Sequence, residues 1–190
     1  MEIFLSKLVI LVDMRVIDLQ EYVLKNSYQY FEMFIYSAVS FFIPFFIGHP
    51  QIAVGIIVNA MLITSALNLK GWKILPVIIL PSLAMLSRGL LFGPFTVFLL
   101  YLVPAIWIGN IILVLSFKYL KLKFRLNYWL TLGVGALLKS GFLFLSAFVL
   151  YSLGLIPVIF LTAMGLMQVI TALLGGIAGY GTHYLKKKLA

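Results

Sequence analysis

Residues 94–117 read PFTVFLLYLVPAIWIGNIILVLSF, 24 consecutive positions without a charged side chain. An α-helix rises about 1.5 Å per residue, so about 20 apolar residues cross the hydrocarbon of a bilayer. The run does not alternate, and it is far longer than the roughly 9–11 residues of a barrel strand. Pro94 opens it where a missing backbone N–H costs little. The stretch therefore predicts a membrane-spanning helix. Five more runs of similar character flank it, over 30–48, 51–69, 73–91, 127–151 and 157–183.

The whole chain has the same bias. Of its 190 residues, 64% are hydrophobic and 10% are charged, with a mean hydropathy of +1.16. A soluble domain is about half apolar and about a quarter charged. The composition excludes a water-soluble globule and a disordered chain, and predicts an all-α membrane protein. Short connections such as Gly48-His49-Pro50, residues 68–71 and residues 154–157 make neighbouring helices antiparallel. The expected organisation is an amphipathic N-terminal segment over 1–28 and a six-helix transmembrane domain over 29–190. In the first segment, Lys7, Asp13, Arg15, Asp18 and Glu21 interrupt the apolar residues. Its run over residues 8–12 is too short to span and precedes no small-residue cleavage site. An amphipathic helix on the inner leaflet or on a partner protein is expected there.

Charge is distributed unevenly. The acidic residues are Glu2, Asp13, Asp18, Glu21 and Glu32, and none follows residue 32. The first 32 residues carry a net −2 and the remainder +11, giving +9 in total. Chemistry that needs a buried carboxylate in the later helices is therefore excluded, including two-metal phosphoryl transfer, carboxylate proton relays and aspartyl proteolysis. With the N-terminus inside, Lys70, Lys73, Lys118, Lys121, Lys123, Arg125, Lys186, Lys187 and Lys188 fall on the inner side, and Arg88 stands near an outer end. Basic loops face the cytoplasm, so both termini are expected there, in a multi-pass protein of the cell membrane.

Polar side chains within the spans each need a reason. The helical rise puts Asn59 roughly 12 Å below the outer end of its span, Lys139 roughly 18 Å from the inner end of its own, and Gln168 roughly 16 Å deep. Arg88, His49 and Gln51 stand near the outer side. Asn110 is placed deeper toward the cytoplasm, where gluing helices together accounts for it. A Lys at the centre of a span costs about 2.5–3.5 kcal/mol, and no carboxylate on spans two to six offsets it. Lys139 either lines a wet cavity and meets an anionic ligand, with Arg88 above it, or it stays uncharged or bonds to carbonyls near Gly133 and Gly135. Asn59, Arg88, Lys139, Gln168, His49 and Gln51 are the candidate substrate-binding residues. Aromatic residues belong chiefly to the lipid-facing belt, although Phe45 and Phe46 stand where they could close a pocket. Small residues spaced by four, Ala172/Gly176, Gly175/Gly179 and Ala136/Ser140, predict close helix contacts.

Several chemistries lack their residues. Cysteine is absent, so no disulfide, thiolate metal site or cysteine nucleophile exists. No G-x-x-x-x-G-K-[ST] occurs. The two histidines, His49 and His183, fall on opposite sides of the membrane and cannot share a metal or haem. The basic excess belongs to short loops and is no sign of a nucleic-acid partner.

Residues 51–60 (QIAVGIIVNA), 80–84 (LPSLA), 104–110 (PAIWIGN), 135–139 (GALLK) and 168–173 (QVITAL) resemble segments of uncharacterised proteins akin to the substrate-binding S component of energy-coupling factor (ECF) transporters. The resemblance extends over residues 30–185. It implies a non-catalytic subunit that captures a vitamin or other micronutrient from the outer side. It also implies two kinds of partner, a transmembrane T component and a pair of ATP-binding cassette ATPases. The resemblance maps the pocket onto Asn59, Arg88, Lys139 and Gln168. Many S components carry Ala-x-x-x-Ala on the first span, whereas this chain has Ser37, Ala38 and Ser40. The N-terminal histidine of the cobalt and nickel members is missing, which argues against a metal cargo. The rival expectations are a structural or assembly subunit of a larger membrane complex and, more weakly, an enzyme acting on lipid. A cavity lined by polar groups in the outer half separates the first expectation from both.

Overall fold

The computed structural model describes residues 16–47, 50–89 and 96–189. His49 and residues 1–15 of the N-terminal segment lie outside them. The described residues are helical, without a strand. The helices are α1 (Asn26–Phe46), α2 (Gln51–Asn68), α3 (Leu75–Arg88) after a 3₁₀ turn over Gly71–Ile74, α4 (Thr96–Ser116), α5 (Tyr128–Ser152), α6 (Ile159–Met164) and α7 (Leu166–Leu189).

Five helical stretches are long and apolar enough to cross a membrane: Gln51–Asn68, Gly71–Arg88, Thr96–Lys123, Tyr128–Ser152 and Ile159–Thr182. α1 is long enough at 21 residues, but Gln29, Glu32 and its tyrosines dilute its hydropathy, and it is not among the five.

Three boundaries depart from the sequence reading. α4 does not stop at residue 117, because a π-helical turn, Phe117–Lys123, extends it. The last span is broken at Gly165, where a Cβ would meet the Leu161 carbonyl at 2.9 Å and the Phe144 ring at 2.9 Å. A larger residue at this break would meet both. The third departure is residues 16–25, which form turns and irregular backbone rather than an amphipathic helix. They strap across one end of the bundle. Glu21 N–H donates to the Leu67 carbonyl at 2.8 Å, and Gly71 N–H donates to the Ile17 carbonyl at 3.2 Å.

Two lysines are buried at this end, one holding the strap and one holding α1, and both depart from the loop assignment. Lys118 is fully buried, with Nζ donating to the carbonyls of Leu19 and Leu69. Lys73 is buried beneath α1, where it donates to Asn26 Oδ1 and Gln29 Oε1 and lies 4.5 Å from the Tyr30 ring centre. Buried backbone and amide oxygens at this end need donors, and a long side chain can supply them from a neighbouring helix.

α2 is central, packing against α1, α3, α4 and α7. Its tightest joint is with α7. A Cβ on Gly175 would come within 2.7 Å of Asn59 Cβ and of the Ile56 carbonyl. Gly175 and Gly179 on the last span thus face α2, and Gly176 faces Leu132 on α5, as close-packed membrane helices require. The apolar core is divided in two. One cluster joins Leu62, Ile63, Leu67, Val77, Leu113, Phe117 and Leu132 near the strap. The other joins Met85, Leu99, Leu102, Leu143, Ala147 and Phe160 toward the opposite end. Leu100, Leu130, Leu137, Leu145, Val149 and Ile177 point outward and are exposed, which in a bilayer places them against lipid.

Candidate functional site

A layer of polar side chains separates the two apolar clusters. Lys139, on α5, donates from Nζ to Asn59 Oδ1 at 2.6 Å and to Asn110 Oδ1 at 2.8 Å. All three residues are 3% exposed or less. Each amide is turned by a second contact, so that its oxygen faces the lysine. Asn59 Nδ2 donates to the Gly55 carbonyl of its own helix at 2.9 Å and to Thr171 Oγ1 on α7 at 3.2 Å. Asn110 Nδ2 donates to the Ile78 carbonyl of α3 at 3.0 Å. The layer therefore ties together α2, α3, α4, α5 and α7. An ammonium has three N–H donors, and two are spent on the asparagines.

The layer is the floor of a cavity of about 100 Å³ that opens in part to the exterior. Its walls include Lys139, Asn59, Asn110, Thr171 and Ser82 at mid-helix, and Gln51, Met85, Leu99 and Met164 toward the helix ends. Those ends belong to the half of the bundle away from the strap. Its lining has the character of small-molecule sites, mostly apolar with a few placed polar groups. Ser82 Oγ donates to the Ile79 carbonyl at 2.9 Å and accepts from Trp107 Nε1 at 2.6 Å, so its hydroxyl is already occupied.

The sequence candidates divide. Asn59, Lys139, Gln168 and Gln51 all line the cavity. Arg88 does not, because its Nη1 donates to the Phe45 carbonyl in the last turn of α1. A helix leaves its last four carbonyls without intrahelical partners, and Arg88 caps one of them. The expected pairing of Arg88 above Lys139 is thus not formed. Phe45 and Phe46 also stay out of the cavity wall, where Pro44 takes the place on α1. Phe41 stacks on Phe45 and Phe42 on Phe46, in a ladder along α1.

Asn110 is the correction of most consequence. Counting its depth from residue 94 put it too far toward the other side. Its helical stretch, Thr96–Lys123, is 28 residues long against 18 for α2, so its end stands at a different level. Asn110 is at the middle of the longer stretch, as Asn59 is of α2 and Lys139 is of α5. Aligning mid-helix positions, rather than ends, would have grouped the three. The acceptors expected near Gly133 and Gly135 are likewise replaced by the two amides.

Compared with known proteins, the chain matches no family model, no curated protein and no solved structure. The class is defined by the fold alone: a multi-pass helical membrane protein with a polar layer and a cavity inside its bundle.

Proposed function

We propose that the chain is the substrate-capture subunit of an ECF-type uptake transporter, binding a small anionic molecule from the outer side of the cell membrane and performing no chemistry. The observation that carries this reading is the cavity above the Lys139 layer. It lies in the half of the bundle that the loop charges assign to the outside, and polar groups from five helices converge on it. A purely structural subunit has no need of such a space.

In this reading α1 is the sixth crossing, and both termini are cytoplasmic. The strap over residues 16–25 then closes the cytoplasmic end. The partners are a T component and ATP-binding cassette ATPases. The small residues Ser37 and Ser40 are buried inside the chain, so a T component resting on α1 would meet its exposed Phe31, Phe34, Phe42 and Phe46 instead. The alternative is a non-catalytic structural or assembly subunit of a larger membrane complex. It is favoured by one observation, that Lys139 already holds two protein acceptors.

Native mass spectrometry of the gently purified protein separates the two. A retained species of defined mass, lost in Lys139→Met, supports capture. A ligand-free chain that co-purifies with a membrane complex lacking ATPases supports the structural reading and removes the first.

A further inference from the structure

The walls of the cavity restrict what it can hold. Among the described residues, Lys139 is its sole cationic lining residue, and no carboxylate lines it. Glu32, the last acidic residue of the sequence, accepts from the Tyr36 hydroxyl at 2.9 Å on α1 instead. A Lys139 ammonium therefore has amide dipoles around it and no counter-ion among the lining residues. One negative charge on a ligand would complete it. A second would meet no second cation among the described lining residues, because Arg88 is committed to the Phe45 carbonyl.

The available donors are also few. Two N–H groups of Lys139 point at the asparagines, and the nitrogens of both amides already donate elsewhere. Ser82 donates to a carbonyl, and Thr171 donates to the Gln168 carbonyl at 3.4 Å. A phosphate recruits several donors and is best met by bidentate groups. The floor of this cavity offers it a single ammonium proton. Above the floor, Val54, Val58, Met85, Leu99, Ile106 and Met164 form an apolar wall, and methionine adapts to irregular shapes. Gln51 and Gln168 complete the lining. Neither side-chain amide holds a hydrogen bond among the described residues.

We infer that the cavity takes a monocarboxylate with an apolar body, its carboxylate on Lys139 at mid-bundle and its body along the methionine-lined wall. This rests on the capture reading and adds the charge, the polarity and the orientation of the cargo. Such a molecule can arrive from water or from the bilayer, and the chemistry that recognises it is the same.

The test uses the full chain in lipid nanodiscs and equilibrium dialysis with three probes of equal length: octanoate, octanamide and suberate. Octanoate should bind saturably. Octanamide lacks the charge and suberate carries a second one, and each should bind about tenfold to a hundredfold more weakly, the range expected for one charge-assisted hydrogen bond. In Lys139→Met the preference for octanoate over octanamide should vanish, while Arg88→Gln should keep it. The ranking of the probes on the unaltered chain stands even if Lys139→Met does not fold. Competition by palmitate in the bilayer would assign the cargo to the membrane, and its absence would assign the cargo to water; both uphold the class. Octanamide or suberate binding as tightly as octanoate overturns the class. So does the failure of all three probes to saturate. Capture itself falls only if native mass spectrometry also retains no species.

Discussion

Adding a single methyl group at Gly175 should open the joint that holds Asn59 in place. Its Cβ would stand 2.7 Å from Asn59 Cβ, 2.7 Å from the Ile56 carbonyl and 3.0 Å from the Ala60 nitrogen. Carbon atoms rest at about 3.5–4.0 Å, so α2 and α7 must separate by most of an ångström. Two of the three obstacles are backbone atoms, which cannot rotate aside. Overpacking of this kind costs about 1–3 kcal/mol, and the gain in helix propensity from Gly to Ala returns about 1 kcal/mol. Gly179 supplies the control one turn further on. There the nearest atom to an added Cβ is Thr64 Oγ1 at 3.5 Å, an ordinary contact. Gly179→Ala should keep the propensity gain, so the two variants should differ by about 1–3 kcal/mol. For a chain of this length that separates their midpoints by roughly 2–4 °C per kcal/mol. Thermal unfolding of both proteins in the same nanodiscs reads the difference. Gly175→Ala should also weaken octanoate binding, because Asn59 moves away from Lys139, whereas Gly179→Ala should not. Equal stability and equal binding in the two variants would refute the close α2–α7 approach.

Three further outcomes follow from the same contacts. Asn110→Leu removes one acceptor of Lys139 and the donor to the Ile78 carbonyl; it should cost about 1–3 kcal/mol in thermal unfolding for the groups left unsatisfied and should weaken probe binding. Lys118→Met strips the Leu19 and Leu69 carbonyls of a buried donor, so limited proteolysis should cut within residues 16–25 much faster, with octanoate binding retained; unchanged cleavage would show that the strap is held by its backbone bonds alone. Arg88→Gln should lower the midpoint modestly, by the about 0.3–1 kcal/mol typical of a cation at a helix C-terminus, and leave the probe ranking intact.

How far each feature could be read in advance depended on its range. Helix α2 was expected over 51–69 and runs over Gln51–Asn68; α5 was expected over 127–151 and runs over Tyr128–Ser152. Both are predominantly apolar and end at polar or glycine-containing connections, signals confined to a few neighbouring residues. Lys139 stood out for the same local reason, as a charge in an uncharged run without a carboxylate downstream. The extension of α4 did not stand out, because Lys118 reads as a loop cation until the Leu19 and Leu69 carbonyls are seen around it. Gly165 gave no warning either, since Phe144, which packs against it, stands on α5 and far away in the sequence.

The sequence by itself determined the solvent this chain lives in, the positions of most helices, and the absence of any carboxylate that could pair with Lys139. These follow from composition and hydropathy, which add up along the chain without reference to its path. Only the tertiary structure decided that Asn59 and Asn110, far apart in sequence, both turn their oxygens to Lys139, that Gln51 and Gln168 line one cavity, and that Arg88 does not. Hydrogen bonds act over about 3 Å, so which polar groups meet depends on the level, tilt and rotation of each helix. Those are set by the contacts between helices, at joints as small as the hydrogen on Gly175.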